Sequence, residues 1–345
     1  MMPAPQVQPS QKVEDRALGI SVIMPVYNGC GFIEHSLPPL MRMLAAGEVL
    51  EVIVVDDGSS DASVATATEL GARVLPSGGR LGAGGARNVA AEVAKGELLW
   101  FVDADVVVHA DAVGVLLQGF EEPDVVGVFG SYDDQPAAQN FLSQYKNLVH
   151  HFYHHKASRE ASTFWSGCGA VRAEVFRRLG GFDVERYKRP SIEDIELGYR
   201  MRDAGGRLLL LSALLCKHLK DWRLGNLLHT EIFCRALPWS RLMLQRGGLD
   251  DNLNVGLGER LRALLAGLLL LALLISPLDP RLWILSGLLG VLVVLINRDL
   301  LSLFVRRKGW LFGLAGLAFH QLYYLYSSAA FAWAMFEIKI LKKSG

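Results

Sequence analysis

Leu98-Leu99-Trp100-Phe101-Val102-Asp103-Ala104-Asp105 is the stretch that sets the fold. Five apolar residues in a row read as a strand buried on both faces, and two carboxylates one residue apart leave its end. Where a strand continues through both acids, alternate side chains share a face, so Asp103 and Asp105 point together at one hard cation while Ala104 faces away. A divalent ion held by only one or two carboxylates keeps open positions that phosphate oxygens fill, so the pattern predicts a nucleotide-diphosphate ligand.

Upstream, the same kind of strand recurs. Ile20 to Val26 is an apolar run closed by Pro25-Val26-Tyr27-Asn28-Gly29, and Glu51-Val52-Ile53-Val54-Val55 stops at Asp56-Asp57-Gly58-Ser59-Ser60-Asp61. Helices are predicted between the strands, near residues 32–46, 62–70 and 85–94, with a short strand at Arg73 to Leu75. Strand alternating with helix implies an α/β fold with a mostly parallel sheet flanked by helices. Ligands of such sheets bind beyond the carboxyl ends of the strands, where Tyr27-Asn28, Asp56-Asp57 and Asp103-x-Asp105 converge. A dinucleotide-binding oxidoreductase would need G-x-G-x-x-G directly after the first strand. Here Gly82, Gly84 and Gly85 follow a later strand, with Arg87 in place of the last glycine, so that reading fails.

Taken together, these blocks resemble the family 2 glycosyltransferases of GT-A fold. Ser21 to Asn28, Val54 to Asp61, Ala86-Arg87-Asn88 with Gly96 to Asp105, Leu179 to Asp183 and Glu193 to Arg200 match in order over about Ile20 to His218. The resemblance implies a nucleotide-sugar site made by Pro25, Tyr27 against the base, Asp56, Asp57 at the base edge, Arg87 on the diphosphate side, Asp103, Ala104 and Asp105. It further implies Mg²⁺ or Mn²⁺ at Asp105, Asp103 and His218, and Asp194 as general base for an inverting transfer. Gly169, Glu193 and Trp222 fall on the acceptor side. Uridine diphosphate is the usual donor nucleotide of such enzymes and guanosine diphosphate the alternative. Arg80 stands where the family often has a smaller polar residue, and Asn88 reads as a loop-ordering or helix-start residue. Processive polymer synthases carry Q-x-x-R-W where this chain has His218-Leu219-Lys220-Asp221-Trp222, which favours transfer of a single sugar over polymer synthesis. A catalytically silent, membrane-anchored nucleotide-sugar binder is the remaining alternative, and retention of Asp57, Asp103, Asp105 and Asp194 argues against it.

The chain has 345 residues, equal numbers of acidic and basic side chains, and a hydrophobic fraction of 51%, so no nucleic-acid partner is implied. Four scattered cysteines form neither a zinc motif nor a disulfide framework. The hydrophobicity is uneven. Residues 1–18 read as a disordered leader, 19–221 as the GT-A domain, and 222–256, with Arg235, Arg241 and Arg246 among Leu, Phe and Trp, as an amphipathic interfacial segment. Residues 257–338 read as a transmembrane region of two or three helices, and 339–345 as a basic tail. Arg298, Arg306, Arg307 and Lys308 place their loop in the cytoplasm, which predicts a multi-pass protein of the cell membrane with a cytoplasmic catalytic domain and a lipid-linked or glycolipid acceptor. Two i,i+4 histidine pairs in His150-His151-Phe152-Tyr153-His154-His155 are read as an exposed helix face, since the Glu of a zinc-binding H-E-x-x-H is missing.

Overall fold

A computed structural model describes residues 18–247 and 256–341. The expected leader and basic tail therefore fall mostly outside the described residues, as does the end of the 222–256 segment. Alternation begins as expected: β1 (Ile20–Val26), α1 (Cys30–Ala45), β2 (Glu51–Asp56), α2 (Ser63–Glu69), β3 (Arg73–Pro76), α3 (Gly82–Val93) and β4 (Leu98–Val102). Parallel ladders join β2 to β3, β1 to β2 and β1 to β4. The β1–β4 ladder ends at Ile23, short of Pro25, which has no N–H to contribute.

The second half is where the sheet departs from a simple parallel order. Its elements are β5 (Val106–Val108), α4 (Ala112–Gly119), β6 (Val125–Tyr132), α5 (Phe141–Lys156), β7 (Glu160–Ala161), β8 (Cys168–Arg172), α6 (Ala173–Arg178), α7 (Glu193–Asp203) and β9 (Arg207–His218). The strand order is β3-β2-β1-β4-β8-β6-β9-β5, with β7 also on β9. β8 runs antiparallel to both β4 and β6, and β5 and β7 antiparallel to β9, so the sheet is mixed. Because β8 lies between β4 and β6, the second half of the chain is brought against the end of β4.

Burial follows the two-residue period of the strands. Val22, Met24 and Val26 of β1 and Leu98, Trp100 and Val102 of β4 join one core, while Ile23, Leu99 and Phe101 join the other. The second core is closed by α3, α6 and α7, which puts Arg87 and Asp194 on that face.

Beyond β9 come α8 (Leu224–His229), a π-helical turn (Thr230–Ala236) and α9 (Leu237–Gln245). They are followed by α10 (Leu257–Ile275), α11 (Leu282–Ile296), α12 (Arg298–Lys308) and α13 (Trp310–Lys339). Among the described residues one helix, Leu257–Leu278, is long and apolar enough to cross a membrane. Within the expected transmembrane region, α11 has only 15 residues and turns into α12 with a bend of 72°. In the same region α13 carries a buried polar face: Tyr153 of α5 and Tyr324 of α13 both donate to Glu259 Oε2 of α10 at 2.7 Å, and Tyr145 meets His320 Nδ1 at 2.8 Å. These bonds fix α5, and with it the sheet, on the C-terminal helices.

Within 222–256 two of the arginines pair inside the protein. Arg241 makes a two-toothed ion pair with Glu337 at 2.8 and 2.9 Å, and Arg246 another with Asp203 at 2.8 Å, so both cations are held by the protein's own acids. Leu242 and Trp239 pack against Tyr199 and Ile192 at α7.

Candidate active site

At the ends of β1 and β2 the turn residues tie to one another. Asn28 sits at φ 47°, a left-handed conformation that Asn tolerates, and accepts from the Ser60 N–H at 2.8 Å while its own N–H reaches Ser59 Oγ at 3.0 Å. Asp56 accepts from the Ser59 N–H at 3.0 Å. Asp57 is buried and takes three bonds, from Ser77 Oγ at 2.9 Å and from the Leu81 and Gly82 N–H groups at 2.8 and 2.9 Å. A carboxylate so placed organises the glycine-rich loop before α3 and satisfies the start of that helix. The loop tip carries Arg80, whose guanidinium lies 3.4 Å over the exposed ring of Tyr27. Pro25 is buried inside β1.

The two acids after β4 do not continue the strand. Residues 103–105 form a turn closed by the Val106 N–H donating to Asp103 O at 3.0 Å, so the alternation that would put both side chains on one face stops at Val102. Asp103 forms an ion pair with buried Arg87, whereas Asp105 Oδ2 lies 3.6 Å from His218 Nε2. The Ala104 carbonyl accepts from Ser36 Oγ at 2.7 Å, which pins the turn to α1. Burial raises the Asp103 carboxyl above the ordinary range, aided by the charges of Asp105 and Asp194 and opposed by Arg87. For Asp105 burial also raises the carboxyl, but the neighbouring His218 imidazole and the charge of Lys220 outweigh it and hold the group below that range.

Asp194 begins α7 and accepts from both the N–H and the hydroxyl of Ser166, at 3.1 and 3.2 Å. The next residue, Gly167, accepts the Asp103 N–H at 3.0 Å. Two residues of chain therefore link the Asp194 carboxylate to the Asp103-Ala104-Asp105 turn. Neighbouring Glu193 is buried against Gly84 and takes the Ser191 N–H at 2.7 Å; burial first, then the charge of Asp194, raises its carboxyl. Asn88 clamps the loop before α7 by exchanging two 2.9 Å bonds with the backbone of Phe182.

On the acceptor side, Gly169 lies within β8, where a Cβ would come within 2.4 Å of Trp165 O, so its bare backbone is filled by the protein's own chain. Trp222 is buried beneath Lys220, with its N–H donating to Ser143 Oγ at 2.7 Å. The histidine cluster divides: His155 is exposed, but His154 is buried and its ring nitrogen meets Gly130 O at 2.9 Å, with burial pushing it down to about 4. His150 packs at a tilt against Tyr132, and Tyr132 stacks on His218, at 4.3 Å in each case. The expected exposed face holds for His155 alone, since His154 is buried and His151 meets Tyr132 O at 2.9 Å where α5 packs across β6. Sequence reading missed Tyr132 and the Arg80–Tyr27 stack, neither of which carries a local motif. Among the described residues no group of three His, Cys, Asp or Glu side chains converges as a metal site.

Together these elements define a GT-A-like α/β fold with its polar residues gathered at the strand ends. Residues 21–180, a little under half of the chain, match Glycosyl transferase family 2. Validoxylamine A glucosyltransferase of Streptomyces hygroscopicus subsp. jinggangensis is 29% identical over 232 residues, 54% of this chain and 52% of that one. Glycosyltransferase GlyG of Streptococcus pneumoniae is 32% identical over 118 residues, 33% of this chain and 38% of its own. The chain thus spans about two-fifths to one-half of these curated relatives. In overall fold it is similar to the mannosyltransferase PcManGT of Pyrobaculum calidifontis, solved with GDP-Man and Mn²⁺, with a TM-score of 0.50 at 18% identity, covering 92% of this chain and 88% of that one.

Proposed function

We propose that the protein is an inverting glycosyltransferase that moves one sugar from a nucleotide-diphosphate sugar, with uridine or guanosine as the base, to a membrane-associated acceptor. The observation that carries this reading is the short link from Asp194 through Ser166-Gly167 to the Asp103-Ala104-Asp105 turn. In the proposed reaction the acceptor oxygen bonds to the sugar C1, the bond from C1 to the diphosphate breaks with its electron pair leaving on the diphosphate, and the acceptor proton passes to Asp194. Ser166 orients that carboxylate by holding one oxygen with two donors.

Asp105 and His218, a hard oxygen and an imidazole nitrogen placed side by side, would hold a divalent ion. Such an ion, Mg²⁺ or Mn²⁺, supplies positive charge to the departing diphosphate. Asp103 is held back from it by Arg87, and the Arg87 charge adds to the same end of the cleft. Tyr27 offers a flat face for the base once Arg80 moves aside, and Asp57 keeps the loop that carries Arg80 in place.

Support for a membrane acceptor comes from the C-terminal helices. Leu264, Leu271, Leu274, Ile284, Leu288 and Leu295 are all exposed on α10 and α11, an apolar surface larger than soluble proteins ordinarily leave uncovered. Arg298, Arg306, Arg307 and Lys308 cluster on α12, and Arg307 pairs with Asp134 of the catalytic domain, which is consistent with that domain lying on the cytoplasmic side. In this reading the chain crosses the membrane two or three times.

The test is sugar transfer by the full chain in lipid nanodiscs, screened across UDP- and GDP-sugars with Mn²⁺ or Mg²⁺. Asp194→Asn is expected to lower transfer by roughly 10²–10⁴-fold while UDP binding persists. Unchanged turnover in that variant removes Asp194 from the role of base.

A further inference from the structure

The segment after β9 brings a cation to the acceptor side of Asp194. Its π-helical turn is tied to the start of α7 by Ser191 Oγ, which donates to Cys234 O at 2.8 Å. The next residue is Arg235. Beneath it, buried Glu231 takes Lys146 of α5 at 2.8 Å, and Arg235 NH1 stands 3.7 Å from the same carboxylate oxygen. That oxygen serves Lys146, and 3.7 Å is outside hydrogen-bond reach for Arg235. Two cations thus share one buried acid. The Arg235 side chain is 45% exposed. Asp194 and Tyr132 are close enough for their charges to act on it. Asp194 Oδ2 accepts from Ser166 and Oδ1 from the Ile195 N–H, and Oδ1 keeps a lone pair for the acceptor's proton. π-Helical turns are rare and recur where a side chain must be presented to a ligand.

We propose that Arg235 binds a phosphate monoester carried by the acceptor, next to the acceptor's attacking oxygen. A planar guanidinium fork matches phosphate oxygens in two-toothed fashion, and Arg235 is not held in such a pair by Glu231. Phe233 and Leu224, exposed on the same segment, favour a phosphate attached to a lipid chain. This assignment rests on the transferase reading, because it takes the cleft beside Asp194 as the acceptor side.

Binding of farnesyl phosphate, farnesol and glycerol 3-phosphate to the full chain in a neutral detergent, read by calorimetry, tests it. Farnesyl phosphate is expected to bind roughly tenfold to a hundredfold more tightly than farnesol, a preference of the size charge-assisted hydrogen bonds supply. Arg235→Gln removes that preference and Arg235→Lys keeps part of it, whereas Arg241→Gln on the same segment leaves it intact. Equal binding of farnesyl phosphate and farnesol, or a preference that survives in both Arg235 variants, overturns the proposal. Arg235-dependent binding of glycerol 3-phosphate as tight as that of farnesyl phosphate overturns the lipid part and leaves a free phosphate as the ligand. Hydrolysis of nucleotide-sugars by the same preparation is measured beside it. Hydrolysis without phosphate preference refutes only this subsite, and phosphate preference without hydrolysis or transfer refutes only the transferase reading.

Discussion

Replacing Arg87 by Met removes the buried cation that faces Asp103 and leaves its volume nearly filled. Asp103 then stands near Asp105 and Asp194 without a counter-charge, and Glu193 loses the positive charge that opposes its burial. Breaking a buried ion pair from one side costs about 3–5 kcal/mol. Asp103 keeps 35% of its side chain exposed, so water screens part of that loss and about 3 kcal/mol is the better figure. At about 2–4 °C per kcal/mol for a domain of this size, the variant should melt about 6–12 °C below the wild type at pH 8 in EDTA. The pH dependence has a definite sign. The Asp103 and Glu193 carboxyls have folded pKa values above their unfolded ones, so their ionisation destabilises the fold as pH rises through the folded values and costs nothing below the unfolded ones. Arg87→Met raises both carboxyls further, so the gap in melting temperature should be wide at pH 8 and shrink toward pH 4. Scanning calorimetry across that range is the assay. A gap under about 2 °C at pH 8, or one that does not change with pH, refutes the assignment of Arg87 as the counter-charge of this acid cluster.

Arg80→Ala should uncover the Tyr27 ring; an exposed cation–π contact is worth about 0.5–1 kcal/mol, so UDP should bind about two- to fivefold more tightly by calorimetry. Weaker binding would instead mean that Arg80 itself contacts the nucleotide. Asp57→Ala removes three hydrogen bonds from the 77–82 loop and should cost about 2–3 kcal/mol in urea unfolding, with a raised KM for the donor. Asn88→Ala strands the N–H and C=O of Phe182 and should cost about 2 kcal/mol, whereas an unchanged urea midpoint would show that the clamp is redundant.

The first half of the fold was legible because its signals are local. β1, β2 and β4 are continuous apolar runs, each ended by a polar cluster, and parallel strands buried on both faces need nothing more to be recognised. The second half was less so. β8 inserts antiparallel between β4 and β6, a choice set by tertiary packing and not by its five residues. At the site, Asp103 and Asp105 were visible as a pair, but the turn that gives them separate partners was not, because Arg87 and His218 lie 16 and 113 residues away from them in sequence. The wall made by His218, Tyr132 and His150 joins three elements through ring stacking and has no sequence period to reveal it. Hydrophobicity located the C-terminal helices, yet the tyrosine and histidine face of α13 changed one expected span into a helix that also grips α5. In the 222–256 segment the arginines were read as lipid-facing from composition, while their partners Glu337 and Asp203 are remote in sequence.

The central claim is that Asp105 and His218 hold a cation against the donor diphosphate while Asp194 acts from across the cleft. Titrating Mn²⁺ into the full chain with and without UDP, followed by electron paramagnetic resonance, separates these roles most directly. The account predicts Mn²⁺ binding that strengthens with UDP, weakens at least about tenfold in Asp105→Asn and persists in Asp194→Asn. Mn²⁺ affinity that is indifferent to Asp105→Asn, or that is lost in Asp194→Asn, would contradict it.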